Sequence, residues 1–317
     1  MKKWMRKFLS AVAAVITMLG LIPAEAEQVI WNENTRIDEV TSYPAFGDWD
    51  RMIFPVDTSY YSGSTLGSLR LTWYSNIQPA KTVEIVNYMR EKTDAGEQIF
   101  YRIYTDAEIA ADPWKADTGL FFFKGHPGAK FAICNAGGGF AYVGAMHDSF
   151  PHALELSKLG YHAFALIYRP GAQAACEDLA RAIAFIHEHA DELEVDTADY
   201  SLWGGSAGAR MAAWLGSYGT AAFGEKDYPR SGAVIMQYTG LSEVYGNEPP
   251  TYNCVGTNDG IASYRTMERR IAAIQANGTD VMIEVFPGLS HGFGLGTGTV
   301  AEGWIKNAVS FWERNMK

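Results

Sequence analysis

Cysteine is scarce in this chain: Cys134, Cys176 and Cys254 are the only three. An odd trio cannot supply a disulfide framework, and no C-x-x-C pair is present to hold zinc or run thiol exchange. Cys134 and Cys254 fall within apolar, strand-like runs, so buried and inert thiols are expected. Positive charge is short as well, with 26 Lys and Arg against 36 Asp and Glu and a formal net charge of -10. An acidic surface argues against nucleic acid or an anionic membrane as the partner. The sequence has no P-loop, and no G-x-G-x-x-G between a strand and a helix, so no cofactor is expected. His187 and His189 stand two apart in a helical stretch and face different sides, which reads as a solvated helix end and not as a metal site.

Long apolar runs are missing except at the start. Lys2, Lys3, Arg6 and Lys7 precede an apolar stretch from Phe8 to Ile22, followed by Ala24-Glu25-Ala26. That order is the pattern of a secretory signal, and the stretch is shorter than the roughly 20 residues a membrane span requires. Cleavage is expected after Ala26, giving a secreted or extracytoplasmic protein with no membrane partner. Loss of the four cations and Glu25 takes the formal net charge from -10 to -13.

What is present is enough apolar material, 48% of residues, to bury a large core. From Phe121 onward, runs such as FAICNA (131–136), YHAFALIY (161–168), DYSLWG (199–204), GAVIMQY (232–238), TYNCVGT (251–257) and VMIEVF (281–286) alternate with longer amphipathic segments. In one of these, Leu179, Ile183 and Ile186 recur at helical spacing. Six buried strands with helices between them predict a doubly wound, mostly parallel α/β sheet with helices on both faces. Residues 27–80 form an aromatic-rich extension, with nine aromatics from Trp31 to Tyr74, expected to pack on a catalytic domain spanning 81–317.

In such a sheet, ligands sit at the carboxyl ends of the strands. There LWGGSAGARM (202–211) reads as strand, tight glycine turn, then helix. This geometry lifts a serine hydroxyl above the sheet edge at a helix N-terminus and offers the next backbone N–H to an oxyanion. A second G-x-S-x-G, at Ser290, is followed by Gly292, Gly294, Gly296 and Gly298, which cannot open a good helix. Ser206 is therefore the candidate nucleophile. It needs a histidine to take its proton and a carboxylate to hold that histidine. In the chain order Ser, acid, His, only His291 follows Ser206. Asp259 comes just after the strand TYNCVGT at the same sheet edge. Asp280 precedes a strand and belongs at the opposite end, and Asp227, in the FGEKDYPR loop, is the reserve. Gly137-Gly138-Gly139 follows FAICNA and can bring bare amides to a substrate oxygen, so Gly138, Gly139 and Ala207 are the expected oxyanion-hole donors.

With GGSAG, AGGGF, GTND and LSHGF in this order, the chain resembles the α/β-hydrolase superfamily of serine esterases. From about Glu84 to the C-terminus, segments such as EIVNYMRE, DTGLFFFKG, ICNAGGGF and SKLGYHAFALIYRP are similar to bacterial acetyl-xylan and feruloyl esterases. One departure is Asn135-Ala136 before the glycines, where hormone-sensitive-lipase relatives carry His-Gly and xylan-esterase-like ones Pro. The resemblance implies a cofactor-free serine carboxylesterase acting on a small-molecule or polysaccharide ester with a short or aromatic acyl group. The alternatives are a lipase-like esterase of longer acyl chains, a serine exopeptidase, for which too few residues precede the sheet to build the usual propeller, and a non-catalytic binding protein on the same fold.

Overall fold

The structure is a computed structural model that describes residues 30–54 and 60–317. The expected signal segment and its expected cleavage point lie outside the described residues. Trp31–Lys317 is one compact unit, and no described helix is long and apolar enough to cross a membrane.

Its centre is an eight-stranded sheet. In chain order the strands are β1 (Phe100–Tyr101), β2 (Gly119–Phe123), β3 (Lys130–Asn135), β4 (His162–Ile167), β5 (Asp196–Gly205), β6 (Ala233–Gln237), β7 (Thr251–Gly256) and β8 (Val281–Phe286). In space the order is β8-β7-β6-β5-β3-β4-β2-β1. β3 to β8 run parallel, whereas β2 is antiparallel to β4 and β1 to β2. The sheet thus has two strands more than the six expected. β1 is only two residues long, and β2, GLFFF, is a five-residue run buried throughout. The central strands are buried on both faces, which is why they read as continuous apolar runs.

Six longer helices complete the framework: α1 (Pro79–Asp94), α2 (Phe150–Lys158), α3 (Ala172–Glu188), α4 (Ala207–Tyr218), α5 (Tyr264–Ala276) and α6 (Trp304–Arg314). α1 starts with Pro79 at its first position and buries Thr82, Ile85, Val86 and Met89, one face of a 3.6-residue repeat. The 80/81 boundary drawn from sequence therefore falls inside its first turn. Trp31, Phe46 and Leu71 from the aromatic segment join the same hydrophobic core as the sheet. His187 packs among Phe131, Tyr200 and Tyr228 instead of forming the solvated helix end expected for it.

The connection from β3 to β4 steps one way across the sheet, and the connection from β4 to β5 steps back past β3. Because parallel crossovers are right-handed, α2 and α3 must lie on opposite faces, and a crevice opens at the carboxyl ends of β3 and β5. The register pairs Asn135 with Gly204 and Gly205 with Gln237, so these strands end level with one another at that crevice.

Candidate active site

Ser206 sits between the last residue of β5 and the first of α4, with φ 52° and ψ -112°. A non-glycine residue holds such a conformation only when its surroundings force it. Two glycines do so here. A methyl on Gly204 would fall on the backbone of Gly208 and Ala209, and one on Gly208 would fall on the carbonyls of Asn135 and Ala136. The turn can therefore be tight enough to raise the serine only with glycine at both positions. The Ser206 N–H donates to the Gln237 carbonyl at 2.9 Å, which fixes the turn to the end of β6.

The loops after β7 and β8 complete the arrangement. His291 Nε2 lies 3.1 Å from Ser206 Oγ, and its Nδ1 lies 2.7 Å from Asp259 Oδ2. The Asp259 side chain is fully buried, and its other oxygen accepts the N–H groups of Ile261 (2.8 Å) and Ala262 (2.7 Å). Carboxylate acceptance fixes Nδ1 as the protonated nitrogen and leaves the lone pair of Nε2 facing the hydroxyl. Asp280 lies at the far end of the sheet, paired with Arg314 at 3.0 Å, and Asp227 lies near Gly219 beyond the end of α4. Ser290 belongs to the turn after β8, which opens no helix.

After β3, Gly138 and Gly139 both adopt positive φ, 134° and 63°. Among the described residues, the amides of Gly138, Gly139 and Ala207 donate to no acceptor, so all three candidate donors are free. Gly137 differs, because its N–H is taken by Asp148 Oδ2 at 2.6 Å. Asp148 is only 2% exposed and has no cationic partner among the described residues. Its charge is met by three donors: the Gly137 amide, the Tyr74 hydroxyl at 3.1 Å and the Tyr238 hydroxyl. Burial, reinforced by that carboxylate, pushes both phenols well above their ordinary value and keeps them as donors. The Tyr238 ring lies 4.8 Å from that of His291. Asp148 thus ties the glycine loop to the residues around the histidine. Nothing in AMHDSF marked it in sequence, since its partners come from positions 74, 137 and 238.

The aromatic segment also reaches the site. The Ser75 hydroxyl donates to the His291 carbonyl at 2.6 Å, and the Ser75 N–H to the Gly292 carbonyl at 3.2 Å. Trp73, with φ 72° and 43% exposure, lays its ring against Gly139 and stacks on Tyr142 at 5.7 Å.

Next to Asp148, burial and the positive charge of Arg70 depress the His147 imidazole to about 3. Its folded-state value lies below the unfolded one, so its contribution to stability is complete above about pH 6.5 and declines as the pH falls toward 3. Urea unfolding compared at pH 7 and pH 5 should show a loss of about 2 kcal/mol in total from this group, nearly all of it below pH 6.5, and His147→Gln should remove that part of the loss.

Strand order, crevice and the Ser206–His291–Asp259 chain define an α/β-hydrolase fold. A family model described as BD-FAE matches residues 125–260, the stretch that carries the glycine loop, Ser206 and Asp259. No curated protein matches the chain. Among solved structures, an acetyl ester-xyloside bifunctional hydrolase from Caldicellulosiruptor lactoaceticus is similar at TM-score 0.60 and 21% identity, over 68% of this chain and 95% of that one. A propionate-bound thermophilic esterase from the planctomycete Thermogutta terrifontis is similar at TM-score 0.55 and 22% identity, over 62% and 89%. An α/β hydrolase from a Medee basin deep-sea metagenome library is similar at TM-score 0.54 and 18% identity, over 62% and 92%.

Proposed function

We propose that this protein is an exported serine carboxylesterase that hydrolyses esters of short or aromatic acyl groups, with plant polysaccharide as the natural alcohol component. The observation that carries the reading is His291 bridging Ser206 and Asp259 at 3.1 and 2.7 Å. Ser206 Oγ attacks the ester carbonyl carbon while its proton passes to Nε2 of His291, and Asp259 stabilises the resulting imidazolium. The carbonyl oxygen, now anionic, receives the amides of Gly138, Gly139 and Ala207 at the end of β3 and the start of α4. Collapse breaks the bond to the alcohol oxygen, which leaves with the proton from Nε2. Water then attacks the acyl-enzyme with Nε2 as its base, releasing the carboxylic acid and restoring Ser206.

Support for the substrate class comes from the BD-FAE match and from the exposed Trp73 ring beside Gly139, a surface suited to a sugar or aromatic face. The leader-like sequence before Ala26 supports export. The test is initial rates on 4-nitrophenyl acetate, butyrate and decanoate, methyl ferulate and acetylated xylan. Highest kcat/KM on acetate, ferulate or xylan is expected. Preference for decanoate would instead make this a lipase-like enzyme.

Asp148→Ala should lower kcat on 4-nitrophenyl acetate by about 10²- to 10³-fold, the cost typical of a displaced oxyanion donor, with KM little changed. Steady-state kinetics on folded protein, verified by circular dichroism, checks this; an unchanged kcat would mean that the loop holds its shape without the carboxylate.

A further inference from the structure

Arg210 stands one turn into α4 from Ser206, with its N–H toward the Ser206 carbonyl at 3.4 Å. Every other described arginine donates at least one side-chain hydrogen bond to a described residue. The Arg210 side chain alone has neither a hydrogen bond nor an ion pair with a described residue. This is notable in a chain with 36 acidic residues, where carboxylates are plentiful. Arg210 is partly buried, but none of its guanidinium nitrogens is sealed from solvent, so the fork of donors is open to a ligand.

Its position gives the free guanidinium a purpose. Helix side chains lean toward the helix N-terminus, which for α4 is the end that carries Ser206. Arg210 Nη2 lies 3.6 Å from the point where a side chain on Gly240 would begin, and the Ile261 carbonyl lies 3.9 Å from that same point. Gly240 comes three residues after Gln237, the residue bonded to the Ser206 amide, and Ile261 comes two after Asp259. The guanidinium therefore stands on the Ser206 side of α4, beside the loops that follow β6 and β7. The bare Gly240 leaves space next to it, and the Ile261 side chain, 57% exposed, leaves the rim open to solvent.

A guanidinium offers a planar fork of donors that matches a carboxylate. We infer that Arg210 is a recognition site for a carboxylate carried by the ester substrate, so that the preferred substrates are acid-bearing esters. This rests on the esterase reading of Ser206. The carboxylate can belong to the alcohol part, as in an acylated oligosaccharide with a uronic acid branch, or to the acyl part, as in a half-ester of a dicarboxylic acid.

Two measurements test it. In the first, two acetylated xylo-oligosaccharides, one with and one without a glucuronic acid branch, are titrated calorimetrically into Ser206→Ala and into Ser206→Ala/Arg210→Met, with no turnover required. In the second, wild type, Arg210→Met and Arg210→Lys are compared on 4-nitrophenyl hemisuccinate and 4-nitrophenyl butyrate, which have equal acyl length. The acid-bearing member of at least one pair should be favoured by about tenfold or more, an advantage lost in Arg210→Met, partly kept in Arg210→Lys and weakened by salt. The pair that shows it identifies which side of the ester carries the charge. No preference in either pair, or a preference that survives Arg210→Met, overturns the inference. If wild type hydrolyses neither nitrophenyl ester, the esterase reading fails, while the calorimetric comparison still decides the role of Arg210.

Discussion

Ser206→Ala should lower kcat on 4-nitrophenyl acetate by about 10⁴- to 10⁶-fold with little change in thermal stability. The hydroxyl is the only atom removed, and its recorded partner is His291 Nε2 at 3.1 Å, so the fold loses one hydrogen bond while the chemistry loses its nucleophile. His291→Ala should cost a similar factor. Because the groups act as a unit, the double variant should be no slower than the worse single variant. Multiplying losses would mean that the two residues work separately, contrary to the hydrogen-bonded chain that joins them.

The second large effect concerns folding. Gly208→Ala should destabilise the protein by about 3 kcal/mol or more, at the upper end of what overpacking costs. The added methyl meets the carbonyls of Asn135 and Ala136, which are backbone, so no side chain can rotate away. Relief requires α4 to retreat from β3, and Asn135 and Ala136 lead directly into the glycine loop, so the variant that does fold should also lose activity. Gly260→Ala is the control, since a methyl there has nothing within 4 Å and should be close to neutral in urea unfolding.

These two residues were readable in sequence because local pattern carries them: strand, glycines, serine and helix lie within ten positions. The parallel strands were readable for a related reason, since burial on both faces makes them apolar throughout. His291 and Asp259 followed from chain order and from the rule that ligands gather at the carboxyl edge. Sequence reasoning stopped where function depends on neighbours far apart in the chain. Asp148 draws its donors from Tyr74, Gly137 and Tyr238, and the Ser75 contact with His291 spans 216 positions. Neither has a period or a spacing. The three glycines after β3 look equivalent in sequence, yet Gly137 donates to Asp148 while the amides of Gly138 and Gly139 remain free. β1 escaped notice because two residues carry no pattern, whereas β2 is as long and as apolar as β6 and no sequence feature sets it apart from the strands that were legible.

The central claim is that Ser206 is a nucleophile activated by His291, and covalent labelling tests it most directly. The purified protein would be incubated with paraoxon, which phosphorylates activated serines, then digested, and the modified peptide identified by mass spectrometry alongside residual esterase activity. One diethylphosphoryl group per chain on Ser206, with activity lost in proportion and no labelling of His291→Ala, is the expected result. Labelling at Ser290 or another serine, or full esterase activity in protein phosphorylated at Ser206, would contradict it.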